Sequence, residues 1–309
     1  SFGFFLQDVL DLNDTRRVFE LAKADFQRIN PNSLTCPIFR TVQDAHLTAL
    51  IYNRLPVLKA ASTSQNSWGV TFKQGLFNMT TDSRLFRSGE MLLTEFGPPK
   101  GNRYVKGQSR WLPLYEGKML AFYEHRFADV VVNAANVNRA GQPEMLTNDE
   151  LQDSTRLPIP RYFVNHTDVL SQRTDAWYIT FKDISAATNE RTMIPTIVPL
   201  AGIGNTIRLF FPDGRVNQRA LFSAMWSSLV VDYVVRQKLA GLHVAFNIVE
   251  QIPILTPASF HLDKGVEAQL VSGITELTYT SWDIKAFADD LWREADGELR
   301  QTLRAQWEE

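Results

Sequence analysis

The sequence predicts an α+β fold, in which a mainly antiparallel sheet domain with long loops is flanked by N-terminal and C-terminal helical segments. Three observations predict it. Apolar residues recur at helical spacing near both ends, short β-branched and aromatic runs fill the middle, and Gly/Pro turn signals separate those runs. The 309 residues are 44% hydrophobic and 21% charged, which is the composition of a globular protein with a sizeable core.

Two helices are predicted near the N-terminus. The first covers residues 14–29, with Asn13 or Asp14 as N-cap and Pro31 as the stop. Its apolar stripe is Val18, Leu21, Ala22, Phe26 and Ile29. The second covers residues 43–54 and ends before Pro56.

The middle of the chain carries the strand signals. The predicted strands are WGVTF, ADVVVN, RYFVN, WYITF, TMIPTIV and TIRLFF. GPPKGN, RAGQP and PDG are typical turn sequences between them. The runs therefore predict an antiparallel sheet region joined by long loops.

Helices return in the last third of the chain. Residues 219–239 predict a helix closed by Gly241 as C-cap, and an apolar strand is expected over 246–255. The remaining fifty residues are predicted to be helical, with Thr280 and Asp283 as a cap. Val266, Leu270, Ile274 and Leu277 form the expected buried stripe.

Charge is unevenly distributed, although the net charge is only -2. Residues 261–309 hold 11 acidic and 5 basic residues, whereas residues 100–126 hold six Lys or Arg against two Glu. Aromatic residues are interleaved with these cations. Such a segment suits phosphate neutralisation and base stacking, and a solvated loop surface is the open alternative.

Several classes of protein are not favoured. The single cysteine, Cys36, fits a reducing compartment, and we expect a cytoplasmic protein. The longest apolar stretch, 221–235, is interrupted by polar residues and is too short to span a bilayer, so no membrane association is expected. The five histidines have no zinc-ligand spacing. Both ends of the sequence look like those of a piece cut from a longer chain.

The sequence contains only partial matches to known catalytic motifs. The NPPY loop of adenine methyltransferases has only NPNS (30–33) as a counterpart, which lacks the second proline and the aromatic residue. AGIGNT is followed by an extended stretch rather than a helix, so a tight turn is favoured over a cofactor loop. Glu116 and Lys118, with Asp82 upstream, match a metal-dependent nuclease pattern only loosely.

Six longer strings occur in one order and cover nearly the whole chain. They are INPNSLTCPIFRTVQDAHLTALIYNRLPVL (29–58), LPLYEGKMLAFYEHRFA (112–128), IPRYFV (159–164), WYITFKDISAATNERTMIPTIVP (177–199), VVDYVVRQKLAGLHVAFNIVEQIPIL (230–255) and ELTYTSWDIKAFADDL (276–291). As a set they resemble the C-terminal half of large N6-adenine DNA methyltransferases of phage-defence systems, of the type IIG-like restriction-modification and DISARM kinds. The region is also similar to the recognition domains of type I restriction specificity subunits.

The resemblance implies an organisation and a function. Residues 1–60 would connect to a methyltransferase domain of the same polypeptide, residues 61–258 would form a target-recognition domain, and residues 259–309 a helical tail. This chain would bind double-stranded DNA and hold no cofactor, whereas the whole enzyme would use S-adenosylmethionine. The other subunits of a defence system are further possible partners.

Recognition would place cations on phosphates and a few polar side chains on base edges. The DNA-binding candidates are Lys100, Arg103, Lys106, Arg110, Lys118, Arg126, Arg139, Gln142, Arg156 and Arg161. Lys118, Arg126, Arg161, Arg191, Arg236 and Lys238 lie within the matched strings. For this second group, a role in holding the scaffold together is an alternative, and for Arg236 and Lys238 it is the preferred one.

No catalytic residue is predicted in this chain. Two alternative functions stay open. One is a metal-dependent nuclease built on Glu116 and Lys118, and the other is a protein-docking scaffold that uses the acidic tail.

Overall fold

The computed structural model describes residues 1–133, 141–260 and 264–308, and it confirms the α+β class. The strands are β1 (Phe2–Gly3), β2 (Val18–Phe19), β3 (Lys59–Ala60), β4 (Gln65–Asn66), β5 (Thr71–Gln74), β6 (Phe86–Ser88), β7 (Tyr104–Lys106), β8 (Ser109–Tyr115), β9 (Ala128–Val132), β10 (Gly141–Met145), β11 (Tyr162–Asn165), β12 (Trp177–Lys182), β13 (Pro195–Pro199), β14 (Gly202–Ile203) and β15 (Ile207–Phe211). The helices are α1 (Lys23–Ile29), α2 (Val42–Arg54), α3 (Gly89–Phe96), α4 (Asn148–Gln152), α5 (His166–Gln172), α6 (Val216–Trp226), α7 (Leu229–Lys238), α8 (Phe246–Val249), α9 (Pro257–Phe260), α10 (Lys264–Thr278), α11 (Lys285–Glu294) and α12 (Gly297–Glu308).

The chain forms two compact units, each built from separated segments. The first unit contains residues 1–70, 185–193 and the described part of 225–263. The second contains residues 71–184, 194–224 and the described part of 264–309. The predicted domains, by contrast, were continuous stretches of the sequence.

The first unit begins with a short strand pair rather than the long helix expected over 14–29. Asp14 accepts a hydrogen bond from the backbone N–H of Arg16, a local turn that competes with helix formation. Val18 and Phe19 then pair with β1, and the Phe19 ring packs 5.7 Å from that of Phe39. The helix therefore starts only at Lys23, whereas α2 matches its prediction closely.

Helix α7 is tied to residues 185–193 by a buried carboxylate and an arginine. Asp232 accepts the backbone N–H groups of Thr192 and Met193 at 2.7 and 2.8 Å. Arg236 pairs with Asp232 and donates to the carbonyl groups of residues 187, 189 and 190. Lys238 donates to the carbonyl oxygen of Ile29 at 2.8 Å. The scaffold role preferred for Arg236 and Lys238 is thus confirmed.

The junction after α7 differs from its prediction. The single helix over 219–239 is broken, because Ser228 caps a new helix by accepting the N–H of Val231. Helix α7 ends at Lys238 with an extended Leu239 as its C-cap, so the C-cap role given to Gly241 is wrong.

The strand expected over 246–255 is also wrong. Residues 246–249 form a helical turn, and the following segment pairs with residues 56–59 through single hydrogen bonds, such as Leu58 N–H to the Ile252 carbonyl at 2.9 Å. Pro253 lacks an N–H group, which limits this pairing to an isolated bridge with Val57. The segment belongs to the first unit and does not extend a sheet.

The second unit contains two larger sheets with a shared core, in addition to the β9–β10 ribbon. One sheet has the order β14-β8-β11-β6, with β7 also paired to β8, and the other has the order β13-β12-β15-β5. All these pairings are antiparallel except β14 with β8. A single core cluster includes Leu114 and Val164 from the first sheet and Val198 and Leu209 from the second. Strands β5, β9, β11, β12, β13 and β15 confirm the six predicted strands, with shifted ends.

The C-terminal segment is helical as expected, but α10 buries a different face. Val266, Leu270 and Leu277 are exposed, and only Ile274 of the predicted stripe is buried. The buried face instead includes Thr275 and Thr278, whose hydroxyl groups donate to carbonyls one turn earlier. This back-bonding lets threonine enter a core without an unsatisfied donor.

Candidate nucleic-acid interface

A β-hairpin and the turn before it carry four of the predicted DNA-binding cations. Lys100 and Arg103 flank a tight turn closed by reciprocal backbone hydrogen bonds of 2.8 and 3.2 Å. Gly101 has a φ of +61° there, which favours glycine. The buried Asn102 anchors the turn by donating to the Pro158 carbonyl at 3.1 Å. Both cations are therefore held on an ordered backbone.

The hairpin pairs β7 with β8 through a two-residue turn at residues 107–108. Tyr104 lies opposite Trp111 and Val105 opposite Arg110. Tyr104 and Trp111 are buried, whereas Val105 and Arg110 are exposed. Because side chains alternate along a strand, one face of the hairpin is anchored to the unit and the other faces solvent.

Lys106 lies on the anchored face and is partly committed to the fold. Its ammonium group donates to the carbonyl oxygen of Glu95 at 2.8 Å, near the end of α3. The cations Lys100, Lys106 and Arg110 are all exposed. Lys106 keeps donors for a further ligand, since an ammonium group carries three.

His166 lies near these cations, although no sequence pattern predicted it as a site residue. Asn165 lies opposite Trp111 in the β11–β8 register, so His166 follows beside Arg110. Partial burial lowers the pKa of His166 below 6.5, and repulsion from Arg110 and then Arg103 lowers it further. The pairing of β8 with β11 was not evident from the sequence, which is why His166 was missed.

The cation cluster consists of Lys100, Arg103, Lys106, Arg110 and His166. Two of its arginines repel the histidine, and positive charges gathered in this way attract an anion.

Arg126, in contrast, is part of the interior, and its prediction as a DNA contact is wrong in this fold. Its guanidinium group is fully buried and all five N–H donors are used. They reach both carboxylate oxygens of Glu124 and the carbonyl oxygens of residues 151, 153 and 156. Arg126 holds the loop after α4 in place.

Arg156 also acts in the scaffold. Its guanidinium group pairs with Asp129 at 2.5 Å and with Glu150 at 3.3 Å, which ties β9 to α4. With 22% of the side chain exposed and two carboxylates beside it, its charge is neutralised locally.

Lys118, Gln142 and Arg161 lie around the ribbon formed by β9 and β10. Lys118 donates to the Gly141 carbonyl at 2.9 Å, and Arg161 lies 4.7 Å over the ring of Tyr162. Gln142 is exposed on β10, opposite Val131. Arg139 lies outside the described residues.

The geometry does not favour the nuclease alternative. Glu116 is 8% exposed and lies 3.1 Å from Lys118, so the two charges pair with each other. Asp82 accepts the backbone N–H of Asn78 in a turn. Among the described residues, no three His, Cys, Asp or Glu side chains come together in a potential metal site.

A second group contains the residue types of a hydrolase triad, but its geometry is different. Ser281 and Asp283 both approach the same Nε2 atom of His125, at 3.2 and 2.9 Å. A catalytic histidine needs a carboxylate hydrogen-bonded to one nitrogen and its nucleophile on the other. The carboxylate of Glu124 lies 3.6 Å from Nδ1 of His125, which is too far for a hydrogen bond. With His125 and Ser281 buried as well, the group is structural.

The glycine-rich segment AGIGNT forms a tight turn, closed by a hydrogen bond from Ile207 N–H to the Gly204 carbonyl at 3.0 Å. Gly202 and Ile203 form β14, and the chain turns back at Gly204 to enter β15. No helix N-terminus follows to receive a phosphate or nucleotide, so the tight-turn prediction is confirmed.

Comparison with known protein families gives no match, and comparison with curated proteins gives none either. Within the described part of the chain, every helix is too short or too polar to cross a membrane.

Proposed function

We propose that this chain is the DNA sequence-recognition portion of an N6-adenine DNA methyltransferase of the restriction-modification or phage-defence type. The cation cluster carries the proposal. It gathers four predicted DNA-binding residues and a histidine on one ordered part of the second unit. The six ordered strings in the sequence point to the same class of protein.

The hairpin of β7 and β8 is the proposed reading element. A two-stranded ribbon fits the major groove of B-DNA. Its turn bears Gln108, and Arg110 stands on the exposed face, so an amide and a guanidinium are available for base edges. Lys100 and Arg103 at the preceding turn would contact phosphates, which fix position without reading sequence.

The whole enzyme would operate in the cytoplasm with a methyltransferase domain of the same polypeptide. That domain would bind S-adenosylmethionine and flip the adenine, and this chain would select the duplex site. The residues of this chain would thus bind and orient DNA and perform no bond chemistry.

The test is duplex binding measured by fluorescence anisotropy at several salt concentrations. We expect log K to fall linearly with log salt. Because Arg110 is assigned to a base edge, Arg110→Ala should weaken binding to the recognised duplex by about 1–3 kcal/mol. Arg293→Ala is the matched control, because Arg293 is an exposed arginine on α11 outside the cluster. Binding with no salt dependence, or equal effects of the two substitutions, would contradict the proposal.

A second candidate function is protein docking through the tail. Leu277 and Trp282 are 49% and 61% exposed, which is high for large apolar side chains. A substitution such as Trp282→Ser should weaken assembly with the methyltransferase domain in a pull-down, without changing the melting temperature. Unchanged assembly would remove this candidate.

A further inference from the structure

The first unit contains a cleft of about 590 Å³ with an excess of positive charge. Its walls include the guanidinium groups of Arg16, Arg17 and Arg40 and the carboxylate of Asp14. The volume lies in the range typical of small-ligand sites.

Two of the three arginines are already neutralised. Arg16 forms a two-pronged pair with Asp14, at 2.9 and 2.8 Å, which lowers the pKa of Asp14 to about 2. Arg17 pairs with Asp11 at 2.8 Å and donates to the Phe5 carbonyl. These contacts fix the walls of the cleft.

Arg40 is different. Within the part of the chain that the structure describes, its guanidinium group has neither a carboxylate nor a carbonyl partner, and it lies 5.0 Å over the ring of Phe5. Its N–H donors are therefore available to an anion, in the planar arrangement that suits phosphate.

Phe5 adds an aromatic surface and a strained backbone. Its ring is 60% exposed, and its φ of 57° is in the left-handed region, which bulky side chains rarely adopt. Such strain is concentrated at binding sites. Thr41, the N-cap of the 13-residue helix α2, also lines the cleft, so the start of that helix lies at its wall.

We propose that this cleft binds a nucleoside phosphate. The phosphate contacts the guanidinium of Arg40 near the start of α2, and the base stacks on the exposed ring of Phe5. The ligand is a free mononucleotide or a nucleotide of a single nucleic-acid strand, since both present the same phosphate and base. The site lies in the first unit and is independent of duplex recognition by the cation cluster.

Calorimetric titration of the intact chain tests the proposal with four probes: adenosine 5′-monophosphate, adenosine, inorganic phosphate and a single-stranded oligonucleotide. We expect the monophosphate to bind more tightly than adenosine or phosphate alone. An oligonucleotide that binds more tightly still and displaces the monophosphate identifies a strand as the ligand, and one that does not identifies a free nucleotide.

Arg40→Ala should weaken monophosphate binding about tenfold or more, and Phe5→Leu should remove the advantage of the monophosphate over phosphate. Arg54→Ala is the matched control, because it removes an exposed arginine at the other end of α2. Arg40→Lys keeps the positive charge but lacks the planar guanidinium group. It replaces Arg40→Ala in the titration if the alanine variant does not fold. Absence of monophosphate binding, or equal affinity in Arg40→Ala, Arg40→Lys and the wild type, would overturn the proposal.

Discussion

His125 and Asp283 are 158 residues apart in the sequence, yet Nε2 of His125 lies 2.9 Å from Oδ1 of Asp283. The Ser281 hydroxyl donates to the same carboxylate oxygen at 2.5 Å. Thr280 donates in turn to Glu124, the partner of Arg126. This buried polar network attaches the segment before α11 to the loop that precedes β9. It explains why Thr280 and Asp283 do not cap a helix as predicted.

Asp283→Asn should destabilise the protein by about 2–3 kcal/mol at pH 7, because it removes the buried carboxylate that the His125 ring and the Ser281 hydroxyl contact. Burial opposes ionisation of Asp283, but attraction to His125, hydrogen bonds from His125 and Ser281, and Arg103 outweigh it and lower the pKa. A carboxylate with a lowered pKa stabilises the fold above about pH 4 and loses that contribution as the pH falls further.

Urea unfolding of wild type and Asp283→Asn between pH 2 and 7 checks this expectation. The difference between them should shrink as the solution becomes more acidic. Asp289→Asn is the control, because Asp289 is half exposed and pairs with Lys285 on the surface of α11, so its loss should cost less than about 1 kcal/mol. A difference that is constant over this range would contradict the assigned role of the Asp283 charge.

The sequence predicted the strands better than the site. Alternation of side chains and turn residues are local signals, and they found β11, β12 and β15. The strand predicted over 246–255 is wrong because the apolar run lacks helical spacing and was therefore interpreted as a strand. The conformation of this segment depends instead on Pro253 and on pairing with residues 56–59. A partner so distant in sequence is not encoded in the run itself.

The same limit of sequence-based prediction applies to Arg110 and Arg126 in the candidate site. Both are arginines of one basic, aromatic-rich segment, and the sequence treats them alike. The Arg126 side chain is buried because its guanidinium group donates to backbone carbonyl groups within residues 151–156. The Arg110 side chain, in contrast, lies on the solvent-exposed face of β8. Only the tertiary structure separates a scaffold arginine from an exposed one.

Arg126→Lys should therefore destabilise the fold despite keeping the charge, by about 3 kcal/mol. A lysine offers three donors on a flexible stem, so at least two of the five acceptor contacts would be lost in a buried site. Chemical denaturation measures the loss, and Arg110→Lys, at an exposed position, should change stability by less than about 0.5 kcal/mol. If Arg126→Lys were as stable as the wild type, the interior role given to Arg126 would be wrong.

Lys238 should make the stability of the protein rise with pH. Burial lowers its pKa from 10.5 to about 7, so between these values the unfolded chain holds a proton that the folded chain does not. Stability consequently increases from about pH 7 to about pH 10. Lys238→Met should flatten this increase in thermal unfolding, while the exposed Lys23→Met should retain it. An unchanged slope in Lys238→Met would show that Lys238 is protonated in the folded state.

His166 provides a test of the cation cluster that is separate from charge removal at Arg110. Burial, Arg110 and Arg103 lower its pKa, which disfavours the protonated ring in the free protein. A phosphate bound to the cluster would favour the protonated ring, and by linkage the affinity for duplex DNA should rise as the pH falls from about 7.5 to 5.5. We expect a gain of about threefold to tenfold, since a pKa increase of one unit corresponds to a factor of ten.

His166→Asn should abolish that gain in anisotropy titrations, whereas His46→Asn, on the exposed face of α2, should keep it. The same pH dependence in His166→Asn and wild type would place the bound phosphates away from His166.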